Sequence, residues 1–407
     1  VGLSSNLQIQ IEALDLKSAA RTGRLVDLIL AEAVQHSASD IHFEPTHQSM
    51  EVRFRLDGVL HHVAALSRDL AANVVARLKV MAELLTYRQD IPQEGRLSQG
   101  RSQFGVDMRV STFPTIQGEK AAVRIFGAGA GILELDQVGL PEAILAELQT
   151  LFLERTGAIF LTGPSGSGKT TTLYACLRYL LRESRGGRHI VTIEDPVEQV
   201  LEGISQSQAR PGTEFDFARG LRSLLRQDPE IIMVGEVRDP DTAHIAIEAA
   251  LTGHLVLSTL HAGSACGVIS RLLEMGIETY LLTSGLKGIL NQRLLRRLCP
   301  GCVRPLTPPP LPGGERGRGE GWEAAGCDRC FGTGYKGRLL LAELVTLDAP
   351  LRQVVLERGD TLALERQFAQ SGRPTIWSSA AHALGLGWTT QDEIMRVLGP
   401  RLADHGG

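Results

Sequence analysis

From Met50 to Leu56 apolar residues (Met50, Val52, Phe54, Leu56) alternate with Glu51, Arg53, Arg55 and Asp57, the period of a strand with one buried face. Asp57-Gly58 supplies a two-residue hairpin turn, and Val59 to Val63 reads as the returning strand. Between Asp69 and Leu85 the period lengthens: Leu70, Val74, Leu78, Met81 and Leu85 fall on one face of a helix. Phe104, Val106, Met108 and Val110 alternate again, and Val123 and Ile125 continue the strand logic. The pattern predicts an α+β domain within residues 1–126, clearest from about Arg21 onward. Gly127-Ala-Gly-Ala-Gly131 then reads as a linker, taken as 127–139; a glycine-rich phosphate loop is the competing reading, but no basic residue accompanies it.

From Leu140 short apolar runs alternate with helical stretches, the signature of a parallel-sheet α/β domain over 140–407. Ala158–Thr162, Ile190–Ile193, Ile231–Val234 and Leu255–Thr259 are apolar enough to be strands covered on both faces. A Pro/Gly-rich stretch, Pro305 to Gly321, reads as disordered, and residues 339–407 read as mostly helical. There is no internal repeat.

Composition narrows the classes. At 407 residues the chain is too long for one core, and 43% apolar with 22% charged residues excludes a wholly disordered chain, a collagen and a membrane bundle. The net charge of −4 does not favour nucleic acid as a partner. No apolar run reaches 18 residues, no signal-peptide pattern opens the chain, and the missing initiator Met suggests an upstream segment. Four of the six cysteines form the pairs Cys299/Cys302 and Cys327/Cys330, a grouping that suits a metal in a reducing compartment and so a cytosolic protein.

The chemistry concentrates in the second domain. Gly163-Pro164-Ser165-Gly166-Ser167-Gly168-Lys169-Thr170 matches the phosphate-binding loop, with a strand before it and a helix from about Thr171 after it. Its glycines allow backbone N–H groups to wrap phosphates at a helix N-terminus. Lys169 is then placed for the β and γ phosphates, and the Thr170 hydroxyl for Mg²⁺. The reading is a nucleoside-triphosphate site. Two acids follow apolar strands, Glu194 in Ile193-Glu-Asp-Pro-Val-Glu198 and Glu236 after Ile231–Gly235. Strand carboxyl ends converge in such sheets, so one acid should serve the metal and the other the attacking water. His254 and His261 bracket the strand Leu255–Leu260 and are candidate phosphate sensors or partners of a catalytic acid, His261 lying at its carboxyl end.

Arg219, Arg222 and Arg226 form a helical stripe, either a solvated face or an edge reaching a neighbouring subunit's nucleotide. Arg109 and Arg124 read from composition as surface residues of strands. The four cysteines, as C-x2-C pairs 24 residues apart, fit a closed tetrahedral Zn²⁺ site (residues 299–330), while Cys176 and Cys266 read as core.

Taken together, these blocks resemble the secretion-superfamily ATPases of type II secretion and type IV pilus assembly. The resemblance runs from about Leu25 to Gly337 and includes Ala38-Ser-Asp-Ile-His-Phe-Glu-Pro45, the phosphate loop, Thr192–Glu198, Leu224–Asp239, Leu251–His261 and the tetracysteine. It implies a PAS-like first domain, a RecA-like P-loop motor, homo-hexameric rings and ATP held between the domains with Mg²⁺. It further implies that Arg109 and Arg124 reach the phosphates and that Glu194, Glu236 and the two histidines mark the family's acidic and histidine boxes; from the arginine stripe, Arg219 is the candidate nucleotide contact. Which acid is the base stays open. The tetracysteine favours the assembly and secretion branch over pilus retraction. The implied activity is Mg-dependent ATP hydrolysis driving pseudopilus assembly and protein secretion, with inner-membrane platform and docking proteins as partners and peripheral membrane association. The segment that docks such motors on the membrane partner is not in this sequence. Pilus assembly or DNA uptake is the alternative; a nucleic-acid motor, a zinc-ribbon DNA-binding protein and a nucleotide-gated scaffold are the readings from other classes.

Overall fold

In the computed structural model, which describes residues 3–13, 21–97, 103–126, 133–210, 212–305 and 321–400, the chain divides into two compact units. The first comprises Val1–Gly131 together with Leu298–Arg304 and Glu323–Gly337. The second comprises the remainder, Ile132–Arg297, Pro305–Trp322 and Arg338–Gly407.

The first unit opens with helices α1 (Leu3–Glu12) and α2 (Arg21–Gln35) and continues through strands β1 (Asp40–Pro45), β2 (Ser49–Leu56) and β3 (Val59–Ser67). Helix α3 (Ala71–Met81) and strands β4 (Gln93–Leu97), β5 (Asp107–Thr115) and β6 (Gly118–Phe126) complete it. The sheet order is β3-β2-β1-β6-β5-β4, and its neighbouring pairs are antiparallel. The expected alternation holds, since Met50, Val52, Phe54 and Leu56 are buried. At the hairpin Asp57 and Gly58 both take positive φ, +46° and +85°, as the tight turn requires. The helix is shorter than its apolar period, ending at Met81 and leaving Leu85 exposed, because Glu83 turns into the left-handed region.

The second unit carries the larger sheet. In chain order it contains α4 (Glu142–Leu153), β7 (Gly157–Thr162), α5 (Lys169–Glu183), β8 (Ile190–Glu194), β9 (Ser205–Gln208) and α6 (Phe217–Leu224). Next come β10 (Ile231–Val234), α7 (Pro240–Leu251), β11 (Leu255–Thr259), α8 (Ala265–Glu274), α9 (Thr279–Gly285) and the long β12 (Leu286–Leu298). Short strands β13 (Val303–Pro305) and β14 (Trp322–Ala324), which fall mostly in the first unit, pair with each other, and β15 (Tyr335–Thr346) rejoins the large sheet. Four helices end the chain: α10 (Ala349–Leu356), α11 (Thr361–Gln370), α12 (Ile376–Gly385) and α13 (Gln391–Leu398). The strand β15 interrupts the helical stretch expected from residue 339.

The sheet runs β15-β12-β7-β11-β10-β8-β9, and the pairs β12–β7, β7–β11, β11–β10, β10–β8 and β8–β9 are parallel. Both faces are covered, which explains the unbroken apolar runs. Ile159, Leu161, Ile231, Met233, Leu255 and Leu257 pack into one core with α4 and α5. Their neighbours Ala158, Phe160, Ile232, Val234 and Val256 pack into the other with α7, α8 and α9. Gly127–Gly131 lies outside the described residues. Residues 133–139 are fastened rather than linker-like: Leu135 is buried, and Glu134 binds Arg178 and Arg182 on α5.

Candidate nucleotide site and tetracysteine centre

The loop between β7 and α5 is built on glycines that no other residue replaces freely. Gly163, Gly166 and Gly168 have φ of +144°, +75° and +88°. A Cβ on Gly163 would stand 2.4 Å from the Gln292 carbonyl oxygen and 2.6 Å from Ser167 Oγ. Lys169 opens α5, and its Nζ donates to the carbonyls of Gly163 and Pro164, each at 2.9 Å. Burial lowers the Lys169 pKa, the Arg293 charge adds to that, and Glu236 opposes it. Ser167 Oγ is buried without a hydrogen-bond partner among the described residues. A cradle of left-handed glycines, a partly desolvated ammonium and an orphaned hydroxyl at a helix N-terminus fits a phosphate chain. Thr170 Oγ1 donates to Glu198 Oε1 at 3.5 Å, so a hydroxyl and a carboxylate stand together where a Mg²⁺ shell would draw on them.

The parallel register brings the predicted acids to the same sheet edge. Val234 pairs with Ile193, Gly235 N–H donates to Ile193 O at 2.8 Å, and a Cβ on Gly235 would meet Glu194 Cα at 3.3 Å. The two acids differ in setting. Glu194 is buried, its Oε2 accepting from the Tyr174 hydroxyl at 2.5 Å and its Oε1 from the Thr192 hydroxyl at 2.5 Å and Gln206 Nε2 at 3.1 Å. Glu236 pairs with the exposed Arg238 at 2.5 Å and lies near enough to Lys169 to act on its charge.

His261 follows β11 at this edge and is exposed. His254 stands at the other end of the strand: Gly157, the first residue of β7, pairs with Leu255, and His254 Nδ1 bonds the Ala249 carbonyl at 3.0 Å. The structure therefore does not bring His254 to the phosphate loop. Arg219 and Arg222 are exposed on α6, and Arg226 lies past its end.

In the first unit Arg109 and Arg124 face each other across β5 and β6. Arg109 pairs with Glu94, and Arg124 Nε with Asp40 at 3.0 Å. The same row continues to Arg96 on β4 and, through Asp40, to Arg55 on β2, two arginines that sequence reasoning passed over. Cross-strand partners share a sheet face, so this is a line of four guanidiniums in which Arg55 and Arg124 share Asp40, while Arg109 has Glu94 and Arg96 has Asp107.

The four thiols lie within 4.8 Å of one another. Sγ separations of 3.8 Å for Cys299–Cys327 and 3.7 Å for Cys302–Cys330 and Cys327–Cys330 match the edge of about 3.8 Å of a tetrahedron with Zn–S near 2.3 Å. Burial pushes the Cys330 thiol up, but N–H groups of Cys327 and Gly334, at 3.1 and 3.2 Å, outweigh it and lower it to about 7. Donor set and spacing fit Zn²⁺ with all four positions filled by protein, a site that supplies folding energy rather than an open coordination position. The sequence reading attached this centre to the second domain. The structure groups its residues with the first unit, where Phe331 packs on the core and edge-on to His36 at 4.4 Å, and Gly337 N–H bonds Asp57 Oδ2 at 2.9 Å. Cys176 and Cys266 are core residues as expected, their thiols pushed up to about 12 by burial.

Residues 15–396 match the model of a family described as type II/IV secretion system protein. The chain belongs to that family. Among curated relatives of this secretion family, the type II secretion system protein E of Pseudomonas aeruginosa is 43% identical over 389 residues, 92% of this chain and 75% of that protein. The type II secretion system ATPase E of Vibrio cholerae is 39% identical over 403 residues, 97% of this chain and 79% of that protein. Among solved structures, the pilus retraction motor PilT with bound ADP superposes with a TM-score of 0.61 at 25% identity, covering 92% of this chain and 97% of its own. The Legionella pneumophila ATPase DotB superposes at 0.67 and 23% identity, covering 91% and 94%, and bears on the fold alone. Family membership, the relative named an ATPase and the likeness to PilT support an ATPase, on a mixed α/β fold shared with these motors. Sequence reasoning missed Tyr174 and Gln206, which hold Glu194, and Gln292 and Arg293 on β12. No local motif marks them, since their roles come from a strand far along the chain or a helix turn facing a strand end.

Proposed function

We propose that this member of the secretion family is a Mg²⁺-dependent P-loop ATPase that powers pseudopilus or pilus assembly, and with it type II protein secretion, from the cytoplasmic face of the inner membrane. The observation that carries the reading is the loop itself, with Lys169 turned onto the Gly163 and Pro164 carbonyls and Ser167 Oγ left buried without a partner. An arriving phosphate chain exchanges those carbonyls for anionic oxygens and meets the N-terminus of α5. Thr170 takes the metal shell. Glu236, beside Lys169, acts on the attacking water or its metal, and the triply bonded Glu194 positions the strand edge; His261 is the histidine of the site. Arg109, Arg124 and Arg219 complete it in a homo-hexameric ring. Relatives named type II secretion system protein E at 41–43% identity support the choice of system. No described helix is long and apolar enough to cross a membrane, in keeping with peripheral attachment through platform and docking proteins. Zn²⁺ on Cys299, Cys302, Cys327 and Cys330 is structural.

The test is ATP hydrolysis against protein concentration for the wild type, Lys169→Ala and Glu236→Gln, with mass determination on the same samples. Activity per subunit should rise as a hexamer forms and vanish in both variants. Wild-type turnover by Lys169→Ala would remove the site assignment.

A further inference from the structure

The phosphate loop has a second cationic neighbour, contributed by a strand more than a hundred residues along the chain. In β12, Asn291 is in register with Thr162 at the end of β7, so the next two residues run beside the loop. Gln292 braces it, its Nε2 donating to Ser167 O at 2.9 Å and Thr172 Oγ1 at 3.1 Å. Arg293 follows. A Cβ on Gly163 would stand 3.2 Å from its Nη1, which places the guanidinium against the first glycine of the loop.

The partners of Arg293 are all neutral. Nη1 donates to Asn291 Oδ1 at 2.7 Å and Gln292 O at 3.1 Å, and Nη2 donates to Gly263 O at 2.6 Å. A guanidinium has five N–H donors, so Nε and one N–H of Nη2 remain. No carboxylate among the described residues lies within ion-pair distance of it. Glu343, whose charge reaches it, commits its oxygens to Asn291 Nδ2 at 2.8 Å and the Ile376 N–H at 2.9 Å. Lys169 is in the same condition, half-buried and facing carbonyls. Burial lowers the pKa of both cations, and the Arg293 charge further lowers that of Lys169. Glu236 and Glu343 act on these two cations only through the field, with no ion pair to either among the described residues, so two like charges at one loop remain under-compensated until an anion joins them. A half-buried arginine with neutral partners differs in this from Arg238, which has Glu236, and from Arg219, which is exposed.

We propose that Arg293 is a phosphate-binding residue of the nucleotide site, contacting the triphosphate from the same chain beside Gly163 and Lys169. Its bonds to Asn291, Gln292 and Gly263 fix the guanidinium plane, and the remaining N–H donors supply a charge-assisted contact. The inference rests on the ATPase reading.

The experiment measures binding of ATP carrying a fluorescent ribose label to the full chain with Mg²⁺, for wild type, Arg293→Gln, Arg293→Lys and Lys169→Ala, beside thermal unfolding without nucleotide. Loss of one charge-assisted contact should weaken Arg293→Gln by about ten- to a hundredfold. Arg293→Lys should recover most of the affinity, while the unfolding midpoints of both variants should fall by similar amounts, since each loses the bonds to Asn291, Gln292 and Gly263. Wild-type affinity in Arg293→Gln, with affinity lost in Lys169→Ala, would overturn the role of Arg293 and leave the ATPase reading standing. Equal losses of affinity in Arg293→Gln and Arg293→Lys would also overturn it, making the residue a brace for the Gly263 turn. Unchanged affinity in Lys169→Ala would overturn the ATPase reading itself.

Discussion

Replacing Tyr174 by Phe probes how the acidic edge of the site is held. The ring is buried, 4% exposed, so Phe keeps the packing and opens no cavity. Two polar contacts disappear: the hydroxyl's bond to Glu194 Oε2 at 2.5 Å and its acceptance of the Glu198 N–H at 3.2 Å. A bond to a charged acceptor contributes about 1.5–3 kcal/mol and an ordinary one about 0.5–1.5 kcal/mol, so the expected destabilisation is about 2–4 kcal/mol. For a domain of 150–250 residues that corresponds to a fall of roughly 4–16 °C in unfolding midpoint. Burial first, and then the neighbouring Glu194, push the phenol well above its ordinary value, so it remains a donor at any pH near neutral. The Glu194 carboxylate keeps Thr192 and Gln206 on its other oxygen, whereas the Glu198 segment, which accepts the Thr170 hydroxyl, loses its tether. Thermal unfolding without nucleotide and steady-state hydrolysis at varied Mg²⁺ are the assays, and the variant should need more Mg²⁺ for half-maximal rate. An unfolding midpoint within about 1 °C of wild type would refute the reasoning, since such a shift leaves no room for either bond.

Two other outcomes are expected. Chelation or Cys302→Ser should remove one bound metal per chain and raise amide exchange over residues 324–337, where Phe331 rests on His36; unchanged exchange would show that the knuckle does not need the metal. Glu393 is buried and accepts five N–H bonds from Arg296 and Arg396. Burial pushes its carboxyl up, but the arginines prevail and hold its pKa below the ordinary glutamate value, which is the unfolded one. Its contribution is therefore present above that unfolded value and lost as pH falls through the lowered folded one. Glu393→Gln should cost about 3–5 kcal/mol at neutral pH, by denaturant titration, and the gap to wild type should narrow as pH falls through the lowered folded value.

Much of this protein was legible locally. Turn chemistry at Asp57-Gly58, alternation over Met50–Leu56, the apolar strands of the second unit and the phosphate-loop signature each depend on residues within a few positions of one another, and each appears where expected. The paired cysteines also announced a tetrahedral donor set, because ligand type and spacing are written in the chain. Local pattern did not reveal that β12 lies beside β7, and so Gln292 and Arg293 went unseen at a loop whose Ser167 lies 125 residues before Gln292. His254 was a candidate beside the favoured His261, and the parallel direction of β11 sends the two to opposite edges. Glu194 and Glu236 looked alike until burial separated a carboxylate held by three donors from one beside Lys169. Periodicity and turn preference are properties of neighbouring residues, so the sequence by itself determined most of the elements and the glycine loop proposed to take phosphate. Strand order, burial and the charges that face one another arise from contacts between distant segments, and those only the tertiary structure decided.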